Sequence, residues 1–194
     1  MIIKGENITN KRKKIDIGKK GRNDILVFLK EEESLDLEIN LGAPEAEAHV
    51  FVAHLSKDGK ASINLRVNHL SKGTKSAVKI RSVIFGKGRT DVSAVTDVRK
   101  NAKGSEVSLF SEAILLGDES SVSFIPSIST ENNDVVISHG ANTEIFDKEK
   151  IFYLSSRGMD KEEAVRVFIE NFLSPLLSDE ELSRTIRKYI NIKN

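Results

Sequence analysis

The stretch ASINLRVNHLSKGTKSAVKIRSVIF, residues 61–85, carries the pattern that governs most of the chain. Ile63, Leu65 and Val67 alternate with polar neighbours, and Val78, Ile80, Ser82 and Ile84 take one face of the next run. A period of two puts each set on a single face, so both runs predict half-buried strands. Between them, Ser71 to Lys75 supplies a glycine and charge, which suit a solvated corner.

The same grammar extends in both directions. DILVFL, LDLEINL and EAHVFVAHL precede the stretch, and TDVSAVTDV, SEVSLFSEAILL and SSVSFIPSI follow it. Starts at Ser62, Ser76, Thr90, Ser105 and Ser121 recur at roughly 14 to 16 residues, a spacing that predicts stacked β units. Asp58-Gly59 reads as a hairpin signal. Pattern alone therefore gives a mainly β protein and leaves sandwich, barrel and β-helix open.

After Thr143 the period changes. Asp160 with Glu163 three residues on forms a capping signature, and Ala164, Val165, Phe168, Ile169 and Phe172 line one face at helical spacing. Pro175 is expected to close this helix. Ser178 and Glu181 repeat the signature before a shorter helix with Leu182, Ile186 and Tyr189 or Ile190 on its stripe. Three regions result: a basic N-terminal arm or first strands over 1–30, a β core over 31–148, and a helical segment over 149–194.

Composition narrows the function classes. The 194 residues carry 30 Lys and Arg against 29 Asp and Glu, a net charge of +1, so no global field favours nucleic acid or an anionic membrane. Lys11, Arg12, Lys13, Lys14, Lys19, Lys20 and Arg22 make a local basic run suited to phosphates. No aromatic residue interleaves it for base stacking, however, and a solvated edge strand explains it equally. No apolar run approaches the roughly 18 residues of a membrane span. The start lacks the pattern of a secretory signal, which makes cytoplasmic residence the expectation. Cysteine is absent, which removes thiolate nucleophiles and thiolate cluster ligands from this chain. Phosphate loop, nucleophile elbow and HExxH motifs are lacking too, and the chain is expected not to be an enzyme.

The segment from Asn133 to Leu173 is the most specific. Asp134-Val135, Ser138-His139-Gly140-Ala141, Ile145 to Asp147, Phe152-Tyr153-Leu154, Ser156-Arg157-Gly158 and the helix at Glu163-Ala164 follow one another in an order that resembles the SufB/SufD family of iron–sulfur cluster assembly proteins, nearer to its SufD members. The looser similarity upstream extends over residues 45–190. The resemblance implies a right-handed parallel β-helix followed by a small C-terminal helical segment. The sequence departs from the family pattern in lacking its usual N-terminal helical region, so a shortened member is the expectation. Members pair through their β-helices, so a SufB-like chain or a second copy is the implied partner. An ABC-type Suf ATPase is implied at the C-terminal helices, with Phe168, Phe172, Leu176 and Leu177 as docking candidates. A transient iron or Fe–S cluster shared with a partner chain is implied, with none bound stably.

His139 is the position carried over from the family's SHGA element, as a cluster-assembly or interface residue. A neutral imidazole binds iron, whereas packing at a strand end is the structural alternative. Gly140 would let another backbone approach closely, or serve a bend. Glu144 and Asp147 would add hard oxygen ligands only if they converge on the same site. His49, His54 and His69 lie on strand patterns where stacked coils would bring them together as a metal site, although satisfied strand histidines explain them as well. Arg157-Gly158 predicts a turn before the capped helix. Outside the family, a carbohydrate-binding or self-associating β-helix is the competing reading. The chain has only two Tyr and no Trp to build a sugar platform.

Overall fold

Parallel strands stacked in two sheets are what the alternating runs become in the computed structural model, which describes residues 2–4, 12–145, 152, 156–177 and 180–190. Strands β1 (Ile2–Lys4), β3 (Gly21–Lys30), β5 (Ala46–Ser56), β7 (Lys75–Ile84), β9 (Ser105–Leu115) and β11 (Val135–Ile145) form one sheet in that order. Strands β2 (Arg12–Ile17), β4 (Leu35–Leu41), β6 (Lys60–His69), β8 (Arg89–Val98) and β10 (Ser121–Thr130) form the other. The chain crosses from sheet to sheet at each corner, and every pairing is parallel. This is the expected β-helix, a β-solenoid.

The sequence spacing of roughly 14 to 16 residues thus marks half a coil. Ser62, Thr90 and Ser121 belong to one sheet, and Ser76 and Ser105 to the other. Asp58-Gly59 does not make a hairpin. It is a corner between β5 and β6, which lie in different sheets and do not pair. A Cβ on Gly59 would stand 3.0 Å from the Glu31 carbonyl carbon of the preceding coil, so the glycine serves close stacking of corners.

The core is the lumen between the sheets. Ile25, Val27 and Leu29, then Leu35, Leu37, Ile39 and Leu41, then Ile63, Leu65 and Val67, and Val78 and Ile80 turn inward and are buried. Adjacent coils place like residues in register, so β-branched and Leu side chains stack in rows along the axis.

At the next corner the stacking is tighter. A Cβ on Gly117 would lie 2.5 Å from Gly86 N and 2.9 Å from Gly86 C, and Gly86 itself has φ +55°. Backbone cannot yield as a side chain would. Gly117→Ala is expected to lower stability by roughly 1–3 kcal/mol, the usual cost of overpacking. A urea midpoint identical to that of the unmodified chain would show that the corner opens freely.

Helix α1 (Lys161–Phe172) starts at Asp160, whose side chain accepts from Glu163 N–H at 2.7 Å, as the capping signature predicts. It ends before Pro175. Leu173 intervenes, and Pro175 lies inside the short α2 (Ser174–Leu177), where a residue without an N–H suits the first turn. Helix α3 (Glu180–Ile190) follows, and Ser178 lies outside the described residues. The turn at Ser156 to Gly158 is present, with Gly158 at φ +90°.

Ile169, Leu173 and Ile186 are buried against the outer face of the larger sheet, over Phe28, Phe51, Ala53, Leu55, Val83 and Ile114. That explains why these strands are buried on both faces at one end. β5 ends in an uninterrupted buried run because the lumen covers one side and the helices the other. Among the described residues, no helix is long and apolar enough to cross a membrane.

Candidate functional site, the terminal coil

The four histidines divide into three situations. His54 is fully buried, with Nε2 2.8 Å from Glu31 O and Nδ1 3.0 Å from Thr90 Oγ1. A carbonyl only accepts, so Nε2 carries the proton and Nδ1 accepts from the threonine hydroxyl. His69, also fully buried, takes the opposite tautomer. Thr74 Oγ1 donates to Ser71 O at 2.9 Å, so it accepts from His69 Nδ1–H at 2.9 Å, and Ser76 Oγ donates to Nε2 at 2.8 Å. Both rings are neutral and satisfied. Burial pushes the His54 ring below its usual range and the His69 ring down to about 4.

His49 faces outward and lies 3.7 Å from the Glu47 carboxylate. It sits on the opposite face of β5 from His54, five residues on, so the three do not converge as a metal site. Among the described residues no group of three His, Asp or Glu side chains stands close enough to hold a metal ion. The basic run is likewise distributed. Arg12 pairs with Glu38, Lys14 with Asp16, Lys20 with Glu45 and Arg22 with Asp24, so carboxylates of the same and neighbouring strands offset these cations. Lys11 lies outside the described residues.

His139 differs from the others. It lies on β11 opposite Leu109 of β9. Leu109 is buried in the lumen, so the His139 side chain continues the inward row. Yet it is exposed, because β11 is the last strand of its sheet and among the described residues nothing stacks above it. The same position exposes Ile137 and leaves Phe124, Ile128 and Val135 only partly covered. Among the described residues the His139 ring has no hydrogen-bond partner.

Among the described residues the backbone at this end is open as well. In a parallel ladder alternate residues send N–H and C=O to opposite neighbours. Glu106 N–H donates to Thr74 O at 3.0 Å and Leu116 N–H to Ile84 O at 2.8 Å, so even-numbered residues of β9 bond β7 and odd-numbered ones bond β11. On β11 the even-numbered residues return those bonds. Val135, Ile137, His139, Ala141 and Thr143 therefore aim their peptide groups away from β9, where among the described residues no strand meets them, a template for another strand.

The companion edge differs. Ser121 N–H donates to Gly88 O at 3.0 Å and Glu131 N–H to Val98 O at 2.9 Å, so on β10 the odd-numbered residues bond β8 and the even-numbered ones face out. Pro126 falls in the outward set and supplies no N–H there. A proline inside a strand pattern is the sequence signal that would have marked β10 as an edge.

Gly140 has a local explanation that the sequence did not reveal. Its Cβ position points outward at the Phe110 ring, 2.9 Å from Cε1 and 3.0 Å from Cδ1. The glycine seats that ring, and its φ lies outside the left-handed region. The outward rows of the terminal coil are Ser121, Ser123, Ile125, Ser127 and Ser129 on β10 and Val136, Ser138, Gly140, Asn142 and Glu144 on β11. Of these only Glu144 is charged. Depletion of charge around an apolar centre is the composition of an interface core. Asp147 lies outside the described residues, so its relation to Glu144 is not part of this site.

Of the helical candidates, Phe168 and Phe172 are half-buried against the sheet. Leu176 and Leu177 fall in α2, and their side chains lie outside the described set.

Residues 6–172 match the family described as SUF system FeS cluster assembly, SufBD core domain. The chain is similar to the iron–sulfur cluster assembly protein SufD of Escherichia coli strain K12, with 31% identity over 103 residues, 52% of this chain and 24% of that protein. It is also similar to an iron–sulfur cluster assembly SufBD family protein of Mycobacterium tuberculosis, with 30% identity over 94 residues, 48% of this chain and 11% of the relative. A SufBD family protein of Staphylococcus epidermidis is 26% identical over 92 residues, 47% of this chain and 20% of the relative. The matched stretch thus spans less than a quarter of each of these relatives.

Proposed function

The chain belongs to the SufBD family of the SUF system for Fe–S cluster assembly, and from that membership we propose that it is a SufD-like, non-catalytic component of an assembly complex. The observation that carries the reading is the terminal coil. Among the described residues it presents an unpaired strand edge, a partly uncovered lumen and a nearly uncharged rim in one place.

Pairing another β-helix to this end, a SufB-like chain or a second copy, covers all three features at once. Strand addition satisfies the outward peptide groups of β11, and the lumen rows continue into the partner. His139 then stands at the seam, on the inward row, with no hydrogen bond to its ring among the described residues. Iron and the nascent cluster are cargo in this reading. An imidazole ligates iron through a neutral nitrogen, but soft cluster iron demands thiolates, and this chain has none. The cysteines therefore come from the partner. The C-terminal helices, α1 to α3, dock the Suf ATPase, whose cycle drives the pair.

The test is reconstitution with a cysteine-bearing SufB-like chain and a Suf-type ATPase. His139→Ala is expected to lower the rate of cluster formation at least about tenfold. Because the ring is exposed and without a hydrogen bond among the described residues, the same change should move stability by no more than about 0.5 kcal/mol. Unchanged cluster formation in that variant would remove His139 from the assembly site.

A further inference from the structure

Helix α1 packs on the sheet mainly through apolar side chains, and a charged one lies among them. Arg81, on the outward row of β7, lies under the helix with its side chain 16% exposed. Its Nε–H donates to Glu112 Oε2 at 2.7 Å, and its Nη1 donates to the backbone oxygen of Phe172. The guanidinium also lies 4.6 Å from the centre of the Phe172 ring and 5.9 Å from that of Phe51.

Phe172 is the last residue of α1, where carbonyls lack helical partners and the dipole end is negative. The helix has no basic residue in its own last turn. The cation that caps it comes instead from the sheet, 91 residues earlier in the chain. Glu112, which also faces Lys79 at 3.7 Å, holds the fork in place. Apolar burial alone permits a helix to slide or roll on a sheet. A carbonyl, an aromatic face and a carboxylate in three directions from one planar group fix both.

We propose that Arg81 is the positioning residue that sets the end of α1, and through it the pose in which α2 and α3 meet their partner. The break at Leu173-Ser174-Pro175 follows directly on the capped residue, so a displaced Phe172 redirects everything after it. The Arg187 guanidinium, 3.3 Å from Glu170, ties α3 back to α1 and passes the setting on. The partner part of this inference rests on the reading that these helices dock the ATPase.

The absence of cysteine makes the test direct. Nitroxide labels on Asn101→Cys and Ser174→Cys, both exposed positions, report the placement of the α1–α2 junction by pulsed electron resonance. Arg81→Met is expected to broaden and shift the distance distribution. Arg81→Lys should do the same, because an ammonium cannot serve carbonyl, ring and carboxylate together. Val83→Ala, a cavity beneath the same helices, should leave the distance unchanged, and Glu112→Gln gives a milder version if Arg81→Met does not fold. ATPase affinity should fall about tenfold in Arg81→Met, the equivalent of one strong charge-assisted contact. An unchanged distribution in Arg81→Met, or in Glu112→Gln if that variant stands in for it, overturns the inference. A shifted distribution with unchanged ATPase affinity keeps the latch and overturns the docking role of the helices.

Discussion

At pH 4.5 the protein is expected to be about 2.5 kcal/mol less stable than at pH 7.5 on account of His69 alone. The ring is neutral in the native lumen and titrates there at about 4, against 6.5 for an exposed histidine. Above pH 6.5 neither state binds the proton, and pH has no effect through this group. Below it the unfolded chain takes up a proton that the native ring refuses, so stability drains away across the window from 6.5 to about 4. His54 acts in the same direction, since burial lowers its affinity for the proton as well.

The check is the urea midpoint of the unmodified chain and of His69→Gln across that window. The pH dependence of the variant should be shallower by close to one proton. Equal slopes would show that His69 is protonated in the native lumen, contrary to its tautomer and burial.

Ile137→Asp should abolish pairing at the terminal coil. Its side chain lies on the inward row beside His139, and in a joined β-helix a carboxylate there would be buried without a partner. Such a charge costs roughly 2–5 kcal/mol, or between about thirty and several thousandfold in affinity. In the isolated chain Ile137 is 38% exposed, so the fold itself should survive the change. Sedimentation of the variant with a SufB-like chain, and by itself, measures the effect. An association constant within threefold of the unmodified chain would place the interface elsewhere.

How much of this was legible beforehand depends on what each feature needs. The strands were visible because half-buried alternation is local, as in Ile63, Leu65 and Val67. Their stacking into a solenoid was not, since the period of two is the same in a sandwich, and only the resemblance in the SHGA segment singled out the β-helix. His139 was conspicuous in sequence, but its placement on the inward row at an open end depends on its pairing with Leu109, which no local pattern carries. For Gly140 the sequence suggests backbone approach or a bend, whereas its neighbour is the Phe110 ring, thirty positions back and one coil below. Arg81 was invisible for the same reason. Its partners Glu112 and Phe172 lie one coil and one domain segment away, and nothing near Arg81 in sequence hints at a helix end.

The metal site imagined for His49, His54 and His69 failed on simple geometry. An odd separation of five along one strand sends His49 outward and His54 into the lumen. His69 bears out the alternative of a satisfied strand histidine, since its buried ring has both partners it needs. Thr74 provides one from the next corner and Ser76 the other from the start of β7.

In the function proposed, this chain is a SufD-like member of a larger assembly, joined through β11 and through α1 to α3. Native mass spectrometry of the chain mixed with a cysteine-bearing SufB-like protein and a Suf-type ATPase tests it most directly. A complex containing all three is expected, which loses the SufB-like chain with Ile137→Asp and loses the contact between this chain and the ATPase when residues 174–194 are removed. A spectrum in which this chain stays separate from both proteins would contradict it.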